Sequence, residues 1–386
     1  MEAGCRGYLQ AAGWEQVRMM TKRKPIAKTL VPDFERDVKE WYIRERMPEV
    51  LDVLLIDRTT GKTIMWGTKD YESRGKGFGE WDEIKADLIA NENDKVIVPR
   101  VCKSKDEQRR RVQEKGEVFT PAWVCNAMNN LVDNAWFERK NAGFNKEKTK
   151  GWKATLKPIS FPKKLKKTWQ DYVSEVRLEI TCGEAPYLVS RYDMAASADY
   201  KGLIPVDERI GLLDRKLRIV TENCRDIITW VEWAKKAVQS VLGYDWQGDN
   251  VFIARENVLW TVLETVHHEF NGATLSPKAI KEFAEIISWN IWQMDGLKFV
   301  IPCTCHSTPI VREVQKIHQD DLFAVQVNPP KRKVKQLPLE APCPGCAKKN
   351  PIDGAHLHNG TYCQVMNWET GEPEFFHELV GNREVK

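Results

Sequence analysis

Three groups of residues in this chain have types and spacings that can do chemistry. Cys343-Pro344-Gly345-Cys346, followed by His356, His358 and Cys363, supplies a CxxC pair and later donors, the set that a tetrahedral structural zinc takes. The spacing leaves the choice between His356 and His358 open. Cys303, Cys305 and His306 form a second, looser cluster, either structural or part of another site. The third group is spread along the chain. Glu179-Ile180-Thr181-Cys182-Gly183-Glu184 reads as a strand end and a tight turn, Asp245 ends a second strand and Asp295 a third. Strand ends that carry a turn or an acid are what an open α/β sheet needs to hold a nucleoside cofactor across its switch point. No serine or cysteine hydrolase triad and no P-loop is legible. Gly75 to Gly79 is glycine-rich but lacks a strand-to-helix context, so it reads as a plain loop.

Elements at the right places are needed to position these groups. Apolar residues at 230, 231, 234 and 238, and again from Val258 to Phe270, recur at the helical period. Ser276-Pro277 supplies an N-cap and a first-turn proline for a helix carrying Ile280, Phe283, Ala284 and Ile287. Helices alternating with short buried strands predict an α/β fold with a mostly parallel, doubly wound sheet. Upstream, the pattern predicts a helix over 33–45, strands over 51–57 and 62–68 joined by a hairpin at Arg58-Thr59-Thr60-Gly61, and a charged helix or linker over 103–115. Arg109-Arg110-Arg111 on that helix reads as a solvated face, and Lys22-Arg23-Lys24-Pro25 as a basic patch in a mobile arm. The expected organisation is an N-terminal α+β module over 1–111, a cofactor-binding core over 112–301 and a small Cys/His-rich module over 302–386.

Composition bounds these readings. The chain has 386 residues, 42% of them hydrophobic, enough for a sizeable core. A net charge of +4 tolerates a nucleic-acid partner without demanding one. No apolar run approaches a membrane span and no signal-peptide core is present, so no membrane partner is expected. Ten cysteines without a regular framework, five of them after residue 300, fit a reducing cytoplasm with some thiols available to a metal.

Gly116-Glu117-Val118-Phe119-Thr120-Pro121, with Val124 and Met128 after it, resembles the motif that precedes the cofactor loop in amino-group DNA methyltransferases of the adenine-N6 type, in the gamma order. Leu178 to Leu188 resembles the family's cofactor loop. Gly243-Tyr244-Asp245 with Ala254 to Leu259 resembles the ribose-binding acid and its helix, and Asn290 to Leu297 the third motif. The likeness implies a Rossmann-like sheet binding S-adenosylmethionine through Phe119, Thr120, Pro121, Glu179, Thr181, Cys182, Gly183, Glu184, Asp245 and Asp295. Within it, Gly183 lets backbone approach the methionine part and Glu179 lies near the cationic half. Asp245 accepts the ribose hydroxyls and Asp295 accepts from the adenine amino group. One departure is Ala185, where the family usually has a second glycine.

The resemblance also implies a reaction: a methyl passes from sulfonium to the amino group of an adenine flipped out of DNA. The family uses Asn/Asp-Pro-Pro-aromatic for it, and the candidate here is Asn328-Pro329-Pro330-Lys331 after Phe323 to Val327. Lysine replaces the ring, a basic linker over 331–338 follows, and the remaining chain is short for three closing strands and a target-recognition domain. Asn328 therefore reads either as catalytic or as a linker turn. Two functions follow: a DNA methyltransferase of restriction–modification type, or a methyltransferase-like binding protein that lost catalysis. The latter would serve as a subunit of a phage defence or counter-defence assembly. Both expect S-adenosylmethionine, structural zinc, DNA and a protein partner that supplies specificity or activity.

Overall fold

The structure, a computed structural model, describes residues 40–91, 94–162, 166–196, 202–309, 340–348 and 356–381. It is a mixed α/β fold around a three-stranded parallel sheet. Two short helices open it, α1 (Glu40–Arg46) and α2 (Pro48–Leu55). The segment expected as a strand from Leu51 is thus helical. Pro48 sits in the first turn, and the apolar run shows no alternation to separate strand from helix. The turn at 58–61 forms, with the Asp57 carboxylate accepting from Thr59 N and Thr60 N, both at 3.2 Å. The hairpin beyond it is reduced to one isolated bridge, Ile56 with Thr63, while Met65 bridges to Glu83 instead.

The charged helix α3 (Lys105–Lys115) is capped by Ser104 and ends at Gly116 in a left-handed conformation. Helix α4 (Ala122–Trp136) follows, and the chain then reaches β1 (Arg177–Glu179). Two helices, α5 (Leu212–Asn223) and α6 (Ile227–Gln239), carry it to β2 (Val241–Asp245). Two more, α7 (Gly248–Glu269) and α8 (Pro277–Asn290), carry it to β3 (Ile291–Gln293). The sheet order is β1-β2-β3, with Glu179 opposite Gly243 and Asp245 opposite Gln293. Parallel neighbours require such helical crossovers, and they bring the carboxyl ends of the strands to one edge.

Helix α7 is buried from Gly248 to Val266, so it runs through the core rather than along it. Its Arg255 donates to the carbonyls of Ile291 (2.7 Å), Leu54 (2.6 Å), Ile56 (2.9 Å) and Ser288 (3.2 Å). One guanidinium therefore ties α2, α8 and β3 together. The apolar core is continuous across the expected boundary at 111: Leu51, Leu54, Trp66 and Ile97 belong to the same cluster as Val251, Phe252, Phe283 and Ile291. The chain's later part is joined too. Strands β4 (Gln364–Asn367) and β5 (Glu372–Phe375) form a hairpin, and Cys363, Val365 and Phe376 pack on Tyr244, Trp292 and Met294.

Candidate cofactor cleft and metal centre

A cleft of about 710 Å³ opens at the carboxyl ends of β1 and β2. Its floor is the turn after β1. Thr181, Gly183 and Ala185 all have positive φ there, at 46°, 53° and 66°. A Cβ on Gly183 would come within 3.3 Å of the Phe119 ring, so glycine serves both the conformation and the close approach. The turn is held by the end of β2: Cys182 N donates to Tyr244 O at 2.8 Å and Gly183 N to Asp245 Oδ2 at 2.9 Å. The other Asp245 oxygen accepts from Gln247 N at 3.0 Å. Burial raises the Asp245 pKa to about 6, against the lowering effect of those N–H groups. Glu179 accepts from Tyr187 N (3.2 Å) and Leu188 N (3.1 Å), one on each oxygen. Burial outweighs these bonds and raises its pKa to about 8.

The segment between α3 and α4 supplies the facing wall, and Arg111 fixes it. This residue is buried, unlike the solvated face expected of it, whereas Arg109 remains exposed. The Arg111 guanidinium pairs with Glu117 (Nε to Oε2, 2.5 Å), Asp70 (2.8 Å) and Asp249 (2.9 Å), and donates to Gln247 Oε1 at 3.0 Å. Burial would lower its pKa, but Asp249 and Glu117 more than offset that and hold it raised. The wall continues through Phe119 and Thr120, and an apolar rim projects around it. Val118 and Ile180 are 73% and 63% exposed, with Met128, Val132 and Leu178 beside them.

Of the residues expected to meet a cofactor, Phe119, Thr120, Glu179, Thr181, Cys182, Gly183 and Asp245 line this one cleft. Three others do not. Pro121 is the N-cap residue of α4. Glu184 turns into the core, accepting from Arg100 N at 2.6 Å and Tyr192 Oη at 3.2 Å. Asp295 closes its own turn, accepting from Leu297 N at 3.0 Å and pairing with Lys298 at 3.3 Å. Asn328, Pro329 and Pro330 lie outside the described residues, as do 323–327, the 331–338 linker and the basic patch at 22–25. The structure adds Glu117, Tyr187, Trp246, Gln247 and Asn250 to the lining. Glu117 lay inside the recognised motif. Gln247 and Asn250 were detectable only as polar residues one turn beyond the strand-end acid.

A separate centre gathers Cys305, Cys343, Cys346 and His358, whose ligand atoms all lie within 4.8 Å of one another. His358 Nδ1 is 3.5 Å from Cys305 Sγ, 3.5 Å from Cys343 Sγ and 3.6 Å from Cys346 Sγ. Zn–S and Zn–N bonds of ordinary length set a tetrahedral edge of about 3.6 Å, so the donors are spaced for one ion. Gly345 is required here, because a Cβ would sit 2.6 Å from the imidazole. Asn359 N reaches Cys343 Sγ at 3.3 Å. Burial raises the Cys343 pKa, but N–H donors from Cys346, Asn359 and Gly345 and the His358 side chain outweigh it and bring it to about 6. This Cys3His group can bind a metal ion such as zinc.

The ligand set corrects the expected one in two places. Cys363 is not a ligand: it is fully buried beneath the sheet end, its Sγ 3.5 Å from Gln293 O, and burial raises its pKa. His356 is not a ligand either, and its ring lies 5.2 Å from that of His377. Cys305 takes the fourth place, so the looser cluster gives one member to the CxxC site, while Cys303 and His306 remain exposed outside it. Among the described residues, no helix is long and apolar enough to cross a membrane. Compared with known proteins, the chain matches no family model, no curated protein and no solved structure.

Proposed function

We propose that the cleft binds S-adenosylmethionine and that the chain is an adenine-N6 DNA methyltransferase of restriction–modification type, or a close relative whose transfer depends on a partner. The observation that carries this is convergence. Phe119-Thr120, the turn at Gly183 and Asp245 come from three distant segments and line one cleft at the carboxyl ends of parallel strands. Ligands of open α/β sheets bind there, and the sheet is read as the core of a Rossmann-like, doubly wound unit. Asp245 keeps acceptor capacity for a ribose hydroxyl after accepting from Gly183 N, Gln247 N and the Asn250 side chain. The Cys3His centre, when it holds zinc, is structural, since four protein donors leave no open position.

Lysine at position 331 shapes the rest of the proposal. Stacking a flipped base on an aromatic ring contributes about 1–3 kcal/mol, and a lysine stem supplies less. This supports a second reading beside the first, a methyltransferase-like binding protein that lost catalysis and acts through protein or nucleic-acid contacts. A tritiated-methyl transfer assay on mixed DNA separates the two. The expected result is weak or absent transfer by the lone chain, rising when the partner is supplied. Brisk, site-specific transfer by the lone chain would contradict the partner requirement, and transfer unchanged in Asn328→Ala would move the catalytic role elsewhere.

A further inference from the structure

Glu117 is the one carboxylate of the cleft lining held by a cation on one oxygen and without a hydrogen-bond partner on the other. Its side chain is 5% exposed, with Oε2 paired to Arg111 at 2.5 Å and reached by Gln247 Nε2 at 3.4 Å. Among the described residues, Oε1 is buried and has no hydrogen-bond partner. A buried acceptor without a partner costs about 1–3 kcal/mol, more when charged, so such a group is expected to meet a donor. Arg111 is itself locked by Asp70, Asp249 and Gln247, so Glu117 cannot turn away to find one in the protein.

The chemistry of the missing donor follows from the other ionisable groups on the cleft. Its lining holds the carboxyl groups of Glu117, Glu179 and Asp245 against the single amine of Lys115. Lys115 is already engaged by Thr68 and Asp70. Glu179, which the sequence suggested for the cationic half of a ligand, has each oxygen bonded to a backbone N–H of the following turn. Glu117 is therefore the acid of this cleft with a whole oxygen to give. We propose that Glu117 is a specificity-determining residue that receives a cationic nitrogen of the occupant, the α-ammonium group if the occupant is S-adenosylmethionine. The assignment rests on the reading of the cleft given above.

Calorimetry with two ligands tests it: S-adenosylmethionine, and 5′-methylthioadenosine, which keeps the nucleoside and lacks the amino acid. Glu117→Gln keeps shape and removes the charge. It is expected to weaken S-adenosylmethionine about ten- to a hundredfold, the scale of a charge-assisted hydrogen bond, and to leave methylthioadenosine unchanged. Equal weakening of both ligands, or of neither, would overturn the role of Glu117 while leaving the cleft intact. Binding of neither ligand by the wild type would instead refute the cleft reading and the inference with it. Should the variant fail to fold, the wild type alone decides. An analogue of S-adenosylmethionine lacking only the α-amino group should bind at least about tenfold more weakly, and equal affinity would refute the proposal.

Discussion

Glu179 and Asp245 are buried acids whose folded pKa values, about 8 and about 6, lie above the reference values of 4.5 and 3.8. In that window the folded chain holds protons that the unfolded chain releases. Their contribution to stability is thus complete below about pH 4 and is lost as pH rises through 6 and then 8. Denaturant midpoints should fall from pH 5 to pH 8, by an amount on the order of a few kcal/mol in stability. Glu179→Gln should flatten the slope, whereas a midpoint that rises across this range in the wild type would contradict the assignment. The same residues show what spacing can reveal. Glu179, Gly183 and Asp245 were legible because strand ends and a glycine turn leave a pattern in the chain. Glu117 was visible only as part of a motif, since its partner Arg111 reads as one of three surface arginines until packing buries it.

At the scale of elements, the metal centre shows how far sequence order can mislead. A CxxC pair and the next cysteine look like one set, yet Cys363 follows the turn at 359–361 back into the core, where its amide donates to Phe299 O at 3.0 Å. The strand-like segment around residue 300 pairs with Tyr362, and that pairing brings Cys305 to the CxxC knuckle. Such a cross-connection is a property of tertiary structure, invisible to local spacing. Cys305→Ser should therefore lower zinc from about one ion per chain toward none, as measured by elemental analysis. Cys363→Ser should keep its zinc while losing stability, because it buries a hydroxyl in an apolar cluster. The reverse pattern would restore Cys363 as the ligand. The helices α6, α7 and α8 were readable from their periods, and Ser276 caps α8 as its sequence suggests. Helix α2 was not, because a short apolar run fits either a strand or a helix until its neighbours are known.

The molecule as a whole is more integrated than its sequence texture suggests. The sequence suggests boundaries near residues 111 and 301, yet Arg255 and the shared apolar cluster join the first helices to the sheet. Arg255→Met would leave four backbone carbonyls without that donor, at a cost of more than about 3 kcal/mol. Tryptophan fluorescence and far-UV circular dichroism should then report one coincident transition at a lower denaturant midpoint. Two separated transitions would show that residues 40–97 fold as an independent unit after all.

The end of α3, the turn after β1 and the end of β2 all line the cleft, the site proposed for S-adenosylmethionine. Titration calorimetry of the purified chain with S-adenosylmethionine is the most direct measurement of that claim. Saturable binding by the wild type is expected, weakened at least about tenfold in Asp245→Ala, where the proposed ribose contact and the hold on Gly183 are lost. No heat of binding to a folded wild-type chain at millimolar ligand would contradict it.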